Sequence, residues 1–348
     1  MFWKSLEKEA KTPTTCVTST FILAQRNKRR RTMFAVLIDQ FWSLTIAGVA
    51  LGFIYVLISL GYTMVYGVLR MINFANSEIF MWGTFGTVIT SRDIFHYTQT
   101  SEPASGAKLV LVLVTSLFMS MLVAGLTAVF VEFVAYRRLR MKGTNRLATL
   151  ISAIGISIAL QEVMRLLTDS RPVGAPRVLE KIILTEVWGA NIRLDTVITI
   201  IAAAAIFFVL ERFIQISRMG KAIRAVSQNE DAAKLMGVNL NRVITTTFLV
   251  GGLATGAAAF FYITVFEYTK FNIGFTMGMA AFTAAVLGGI GNIRGAFYGG
   301  LSLGLLEVYA SAVLGTQWKA VTVFIVLVLV LLFKPNGLFG EAVQTTRA

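Results

Sequence analysis

The sequence has little charge, little proline and few of the side chains that most metal and nucleophilic chemistry needs. Only 14% of its 348 residues are charged, whereas soluble domains usually carry about 25%. It contains 1 cysteine, Cys16, which excludes an internal disulfide framework. Its 1 histidine, His96, stands in a polar loop, where a surface position is expected rather than a metal site. No paired carboxylates, serine–histidine arrangement or metal-ligand cluster appears in the sequence, so we expect no catalytic residue and no metal.

The sequence instead contains long hydrophobic runs. Hydrophobic residues make up 56% of the chain, and no charge occurs between Lys108 and Glu132. About 20 apolar residues are enough for a helix to cross a membrane. We therefore predict an all-α, polytopic integral membrane protein with about 8–10 transmembrane helices. The candidate spans are 43–66, 72–91, 109–135, 147–167, 194–214, 243–266, 274–291, 296–315 and 318–334.

Basic loops orient these spans. The loop 136–146 contains five basic residues and no acid, and short cytoplasmic loops are enriched in Lys and Arg. We therefore place this loop in the cytoplasm and the mixed-charge loops 92–108 and 168–193 outside. The formal net charge of +14 follows the same distribution. It indicates contact with membrane lipid and argues against a nucleic-acid partner.

The chain divides into three parts. Residues 1–33 form a basic arm that we expect to be disordered and that shows no secretory signal. Residues 34–340 form the transmembrane domain, and residues 341–348 form a C-terminal tail. Nine crossings with an inside C-terminus place the N-terminus outside, whereas a basic arm prefers the inside. Either 34–66 contains an additional segment, or one apolar run is re-entrant, or translation starts at Met33.

One polar segment stands out between two apolar runs. Residues 227–238, "SQNEDAAKLMGV", have the pattern of a short amphipathic helix that Asn229 or Ser227 caps and Gly237 ends. A short apolar face with a charged rim suits docking into a groove on another protein. The alternative is an ordinary connector that lies on the membrane surface. The candidate docking residues are Arg224, Asn229, Glu230, Asp231, Ala232, Ala233, Leu235, Met236 and Gly237.

A second polar interruption lies at residues 70–83, "RMINFANSEIFMWG". Polar groups at membrane depth are costly unless they face protein or a wet cavity, and broken helices mark substrate paths. The segment therefore lines or gates a pathway, or it is an interfacial helix start that Asn76 or Ser77 caps. Glu307 stands in a neutral run, and we favour a hydrogen bond to a neighbouring helix over a position on the path. The candidate pathway residues are Asn73, Asn76, Ser77, Glu78 and Glu307.

Two further features have structural explanations. Glu162 and Arg165 lie three residues apart on one helical face, so we expect an ion pair near the membrane interface rather than a substrate clamp. The glycine-rich stretch 281–300 is typical of closely packed membrane helices. It partly imitates a phosphate-binding fingerprint, but it follows no strand, so we do not expect nucleotide binding there.

Several long motifs resemble one family, the LivH-type permeases of branched-chain amino acid ABC importers. The resemblance runs from about residue 34 to 340, and the polar segment lies in what would be the cytoplasmic coupling loop, about 215–242. The family's INFAHGE signature is similar here, but Asn76 and Ser77 replace its histidine and glycine. The stretches that carry the resemblance are 60–85, 220–243, 281–300 and the ending "FKPNGLFG" at 333–340.

The resemblance implies a membrane subunit of an ATP-driven importer in a bacterial-type plasma (inner) membrane. It implies three kinds of partner: two cytoplasmic ABC ATPases, a second related permease, and an extracytoplasmic binding protein that delivers branched-chain or related amphipathic amino acids. The ATPases would hold ATP with Mg, since this sequence contains no G-x-x-x-x-G-K-[ST] phosphate loop and is expected to bind no cofactor. Urea or short amides are alternative cargoes. An ATP-independent secondary transporter or channel is the alternative from a different class, and a membrane enzyme is a weaker third.

Overall fold

The computed structural model describes residues 40–98, 106–142, 146–187 and 190–340, which are mostly helical. The arm 1–33 and the tail 341–348 lie outside the described residues. The α-helices are α1 (Phe41–Leu69), α2 (Asn76–Ile89), α3 (Gly106–Val131), α4 (Arg146–Leu167), α5 (Leu194–Ile216), α6 (Arg218–Gln228), α7 (Glu230–Leu235), α8 (Leu240–Phe266), α9 (Ile273–Gly288), α10 (Ile293–Leu314) and α11 (Lys319–Phe333).

Short irregular helices and strands complete the secondary structure. A π-helical segment (Thr90–Ile94) extends α2, and a second one (Glu132–Arg137) with a short α-helical turn (Arg138–Met141) extends α3. A 3-10 turn (Thr316–Trp318) precedes α11. Two small antiparallel sheets pair β1 (Val173–Gly174) with β4 (Tyr268–Thr269) and β2 (Ile183–Val187) with β3 (Ala190–Arg193).

Within the described residues, seven helical segments are long and apolar enough to cross a membrane. They are α1, α3, α4, α5, α8, α10 and α11, the last counted with its 3-10 turn. This confirms the predicted all-α, polytopic membrane fold. Two more apolar helices, α2 and α9, have 14 and 16 residues and begin inside the bundle. The predicted span 72–91 was therefore too long at its N-terminal end, whereas the span 274–291 began within one residue of α9 and was too long at its C-terminal end.

The most extensive helix contacts are α1 with α10 and α3 with α8. The helices of both pairs are antiparallel. In the first pair, Gly48 of α1 packs against Leu305 of α10, and Gly52 packs against Leu301. In the other pair a Cβ at Gly252 of α8 would lie 2.5 Å from the Ala128 Cβ. Small residues let backbones approach closely in membranes, where dispersion and hydrogen bonding drive association. The glycine-rich stretch 281–300 packs in the same way, as predicted.

One end of the bundle carries most of the basic residues, and we take it as the inner end. It includes Arg70, the extension of α3 at 137–142, and residues 212–242, from the last turn of α5 to the first turn of α8. α1 runs continuously towards this end from Phe41, which excludes an additional segment within 41–66. The re-entrant run and the start at Met33 stay predictions.

Candidate functional site

The polar segment forms two helices rather than the single helix that its sequence predicts. We call residues 217–239 the coupling island. The Ser217 hydroxyl accepts a hydrogen bond from the Gly220 amide at 2.9 Å and caps α6. Asn229 Oδ1 accepts the amides of Asp231 and Ala232, both at 3.0 Å, and caps α7. Asn229 is thus both the break between the helices and the cap of the second one.

The apolar residues of the island face two directions. Ala233 is buried against the bundle, whereas Leu235 and Met236 are 89% and 85% exposed. Gly237 has φ +81° and ends the segment in the left-handed conformation, as its sequence predicts. The candidate docking residues therefore separate into a buried anchor, Ala233, and an exposed apolar tip, Leu235 and Met236.

Charges on α7 are paired along its surface. Lys234 Nζ lies 2.8 Å from Glu230 Oε1 and 3.5 Å from Asp231 Oδ1. The hydrogen bond and the charge of Glu230 raise the pKa of Lys234 above its ordinary value. Both carboxylates also lie in the first turn of α7, where the positive end of the helix dipole favours them. The exposed apolar tip is thus flanked by charged side chains that pair with one another.

The island is attached to the bundle by two arginines. Arg224 donates to the Gln215 carbonyl at 3.1 Å, which ties α6 to the end of α5. Arg70, directly after α1, donates to the carbonyls of Ser227 and Gln228, both at 3.2 Å. The second contact places the end of α1 against the last turn of α6.

An open cleft of about 1450 Å³ lies at the inner end, between the island and the loop before α10. Its lining includes Arg70, Arg224, Glu211 and Arg294. The Arg294 Nε lies 3.3 Å from the Glu211 carboxylate. The cleft thus has a basic wall on the island side and a paired charge on the opposite side.

The second candidate region surrounds the start of α2. Asn76 lies beside Thr255, near the middle of α8: its Oδ1 accepts a 3.5 Å bond from the Thr255 hydroxyl and its Nδ2 donates to the Ile58 carbonyl at 3.4 Å. Neither Asn76 nor Ser77 caps the helix. Instead the Asn73 Oδ1 accepts the Ala75 amide at 3.1 Å. One alternative from the sequence was a helix start at the membrane interface, capped by Asn76 or Ser77. Its capping residues are wrong.

Glu78 lies in the first turn of α2 and is only 1% exposed. Its Oε1 accepts a 3.3 Å hydrogen bond from Ser77, and its Oε2 has no hydrogen-bond partner among the described residues. The first turn of α9 packs here, since a Cβ at Gly274 would clash with the Ser77 carbonyl and lie 3.1 Å from Glu78 Oε2. We call this contact between the starts of α2 and α9 the helix junction.

The junction gathers four of the five candidate pathway residues. Two helix N-termini, each equivalent to about half a positive charge, face one buried carboxylate. Gly274 and Gly278 of α9 present no side chain of their own to α2, and a Cβ at Gly278 would clash with the Ser77 Cβ and lie 3.1 Å from the Tyr62 hydroxyl. The carboxyl group of Glu78 therefore lies where both helix ends favour an acidic side chain.

Glu307, the fifth candidate, lies apart from the junction, between α1 and α10. Its Oε2 accepts a 2.6 Å hydrogen bond from the Tyr55 hydroxyl, so the expected bond to a neighbouring helix is present. Glu162 and Arg165 form the predicted ion pair on the exposed surface of α4, and His96 is exposed as expected. Within the described residues, no group of three His, Cys, Asp or Glu could hold a metal ion.

The sequence analysis did not identify Arg70 and Glu267, two residues that attach the ends of long helices to distant segments. Arg70 and Glu267 directly follow the long helices α1 and α8, and both have positive φ, 51° and 60°. Their partners lie more than 85 residues away along the chain, at Ser227 and Arg177. The signal that could have found them is a charged residue directly after a long apolar run.

Comparison with known proteins identifies one family. The family described as "Branched-chain amino acid transport system / permease component" matches residues 44–332. The chain is 38% identical over 297 residues to the high-affinity branched-chain amino acid transport system permease protein BraD of Pseudomonas aeruginosa, covering 84% of this chain and 94% of the relative. It is 39% identical over 298 residues to the permease proteins LivH of Salmonella typhimurium and Escherichia coli K12, with the same coverage.

No solved structure matches the chain. The family match spans most of the described helices, from α1 to α11, and includes both the coupling island and the helix junction. Its members are transport permease subunits rather than enzymes. This chain is therefore a multi-pass membrane protein and belongs to the permease-component family of branched-chain amino acid transport systems.

Proposed function

We propose that the chain is a membrane subunit of an ABC importer for branched-chain or related amphipathic amino acids. An extracytoplasmic binding protein delivers the cargo, and two cytoplasmic ATPases that hold ATP with Mg drive its movement. A second, related permease completes the pathway in the plasma (inner) membrane. The three relatives of the preceding section carry branched-chain amino acid transport in their names and match almost the whole of their length.

The exposed tip of the coupling island carries this proposal. Leu235 and Met236 are two large apolar side chains at nearly full exposure, at the inner end and next to a capped helix. Exposed apolar groups with a charged rim are typical of protein contact sites. We assign the ATPase contact to this tip, with Asn229, Glu230, Asp231 and Gly237 fixing its shape and Arg224 attaching it to the bundle.

The helix junction is the proposed gate of the pathway. Broken helices near the middle of a membrane protein place polar groups and helix ends where cargo passes. Here Asn73, Asn76, Ser77 and Glu78 are all buried at the contact between α2 and α9. Motion of α2 relative to α9 would open or close that contact. Glu307 lies outside the junction, and we propose no more for it than a role in helix packing.

The docking proposal is tested by co-expressing the chain with its ATPases and recovering the complex by affinity purification. We expect Leu235→Asp with Met236→Asp to abolish ATPase recovery, because two charges would be buried in an apolar groove. Met141→Asp is the matched control, since Met141 is 73% exposed at the same inner end but outside the island. Equal ATPase recovery with the double variant and the control would contradict the docking assignment.

The cargo is tested with the complete transporter in proteoliposomes. We expect ATP-dependent uptake of leucine, isoleucine or valine, with competition among these three and none from urea or acetamide. Competition by urea alone would move the assignment to short amides. Uptake that continues without any ATPase would instead indicate a secondary transporter or channel.

A further inference from the structure

The connectors before α2 and α9 have the same geometry. Each follows a long helix, comprises six residues (70–75 and 267–272), and leads to a helix that begins inside the bundle. The first residue of each connector, Arg70 or Glu267, is left-handed, and its amide closes the preceding helix by bonding a carbonyl four residues earlier, at 2.7 Å and 2.9 Å. The two connectors are therefore alike in length and in how they begin, and the outer one also contains β4.

The last residues of the connectors also correspond. The Asn76 amide bonds the Asn73 carbonyl at 3.2 Å, and the Ile273 amide bonds the Lys270 carbonyl at 3.0 Å. Since α1 runs inwards and α8 runs outwards, the repeat is inverted. One connector enters the bundle from the inner end and the other from the outer end, and both lead to the helix junction. Inverted repeats of this type are common in transporters.

The two left-handed residues carry opposite charges and hold opposite surfaces. A positive φ is uncommon for residues other than glycine, and it persists only where the surroundings hold it. Arg70 bonds the carbonyls of Ser227 and Gln228 in the last turn of α6, where the negative end of the helix dipole favours a cation. The inner connector is thus tied to the coupling island.

The outer connector is tied to what we call the outer strap, residues 171–182. The Glu267 carboxylate lies 2.6 Å from Lys181 Nζ and 3.0 Å from Arg177 Nε. The Glu267 carbonyl accepts the Ala175 amide at 2.8 Å, and β1 pairs with β4 directly beside it. Arg177 is 65% exposed, so this ion pair reaches the outer surface of the strap.

We propose that Arg70 and Glu267 are paired transmission points of the inverted repeat. Arg70 passes displacement of the coupling island to α2, and Glu267 passes displacement of the outer strap to α9. The inference rests on the proposed function, because it takes the island as the ATPase contact. It adds to that function a contact between the outer strap and the binding protein. Both residues act by positioning the half-buried connectors and not by touching cargo.

The packing gives a physical reason for this transmission. Each connector is short and closed by hydrogen bonds at both ends, so it has little slack. At the junction the Gly274 backbone contacts the Ser77 backbone with no side chain between them. A shift of either helix start therefore has to move the other or separate the two. Packed interfaces of this kind have discrete arrangements rather than continuous ones.

The test of Arg70 uses the complete transporter in proteoliposomes and measures cargo uptake and ATP hydrolysis together. We expect Arg70→Ala to lower cargo transported per ATP by about 10-fold, within the range of coupling between distant sites, while hydrolysis changes less than about 2-fold. Arg70→Lys keeps the charge and should restore part of the ratio. Arg212→Ala is the matched control, an exposed arginine at the inner end of α5. An unchanged ratio in a folded Arg70→Ala complex would overturn the inner half of the proposal.

The test of Glu267 measures stimulation of ATP hydrolysis by the loaded binding protein. We expect Glu267→Ala to keep basal hydrolysis and to lose most of the stimulation, since the strap is no longer held to the connector. Arg165→Ala removes an exposed outer ion pair on α4 and should leave stimulation unchanged. Full stimulation of the Glu267→Ala complex would refute the outer half.

The two proposals fail in distinguishable ways. If the proposed function is wrong, the unaltered chain shows no ATPase recovery and no ATP-dependent uptake. If only the transmission inference is wrong, the unaltered chain couples hydrolysis to uptake and the Arg70 and Glu267 variants couple equally well. Thermal unfolding of each purified variant separates a loss of coupling from a loss of fold.

Discussion

Tyr55 donates a 2.6 Å hydrogen bond to Glu307 across the interface between α1 and α10. Both side chains are almost fully buried, at 1% and 5% exposure. Glycine contacts elsewhere in this interface bring the two backbones together. The bond therefore gives the one carboxylate of α10 a partner on α1, the helix that α10 contacts most extensively.

Tyr55→Phe should destabilise the protein by about 1–2 kcal/mol, because it leaves a buried acceptor without its donor. Chemical unfolding in mixed micelles measures the change. Tyr309→Phe is the matched control: its hydroxyl bonds Thr45 at 2.6 Å at the partly buried outer end of the same interface, where water can replace it. An equal loss in both variants would mean that burial of Glu307 does not matter.

Gly252→Ala should destabilise the contact between α3 and α8 by about 1–3 kcal/mol, the usual cost of overpacking. Its Cβ would lie 2.5 Å from the Ala128 Cβ and 2.9 Å from the Ala124 carbonyl. Gly155→Ala on α4 meets nothing within 4 Å and should be neutral or stabilise by about 0.5–1 kcal/mol, as in open helix positions. The same unfolding measurement compares them, and opposite signs are expected.

Asn229→Ala should loosen α7 by about 1 kcal/mol, because the Asp231 and Ala232 amides lose their capping acceptor. Hydrogen exchange of the amides in residues 230–235 should become faster, and ATPase recovery should fall. Asn229→Asp retains an acceptor and should restore both. Unchanged exchange in the alanine variant would show that the cap contributes nothing.

Glu267 should make the outer strap sensitive to acid. Partial burial opposes ionisation of its carboxyl, but the hydrogen bonds and charges of Lys181 and Arg177 outweigh this and hold its pKa below the ordinary value. Because the pKa is lowered on folding, the stabilisation is complete above the ordinary carboxyl pKa of about 4.3 and is lost as pH falls through the lower folded value. The Tm difference between the unaltered chain and Glu267→Gln should therefore be present at neutral pH and vanish in acid. A difference that persists in acid would exclude this ion-pair explanation.

Substitution of Glu78 tests whether the helix junction is the gate of the pathway. Glu78→Ala removes the buried carboxylate that both helix ends face, so we expect uptake to fall by about 10-fold or more while ATPase recovery is unchanged. Glu78→Gln keeps the shape and part of the hydrogen bonding and should be less severe. Uptake at the level of the unaltered chain in Glu78→Ala would remove the junction from the pathway.

Local patterns in the sequence predicted much of this molecule. Long apolar runs indicated the helices, and the charge of residues 136–146 indicated the inner end. The amphipathic pattern after Ser227 predicted a capped helix, and Asn229 is its cap. These features depend on length, periodicity and residues within one or two turns of each other, all of which can be read along the chain.

The sequence could not show that α2 and α9 begin inside the bundle. Hydropathy reports how apolar a run is, but not its depth, so both runs were predicted as full spans. Their starting points depend on which distant residue each one meets: Asn76 meets Thr255, and Ser77 meets Gly274. Arg70 and Glu267 likewise gain a role only through partners brought close by folding.

The sequence by itself thus determined that this chain is a membrane bundle with a polar, capped segment on its basic side. Only the tertiary structure decided that two of its apolar helices begin inside the bundle, face one carboxylate and repeat one connector in inverted orientation. The reason is physical: composition sets which segments leave water, whereas close glycine packing between segments far apart in the chain sets how deep each one lies.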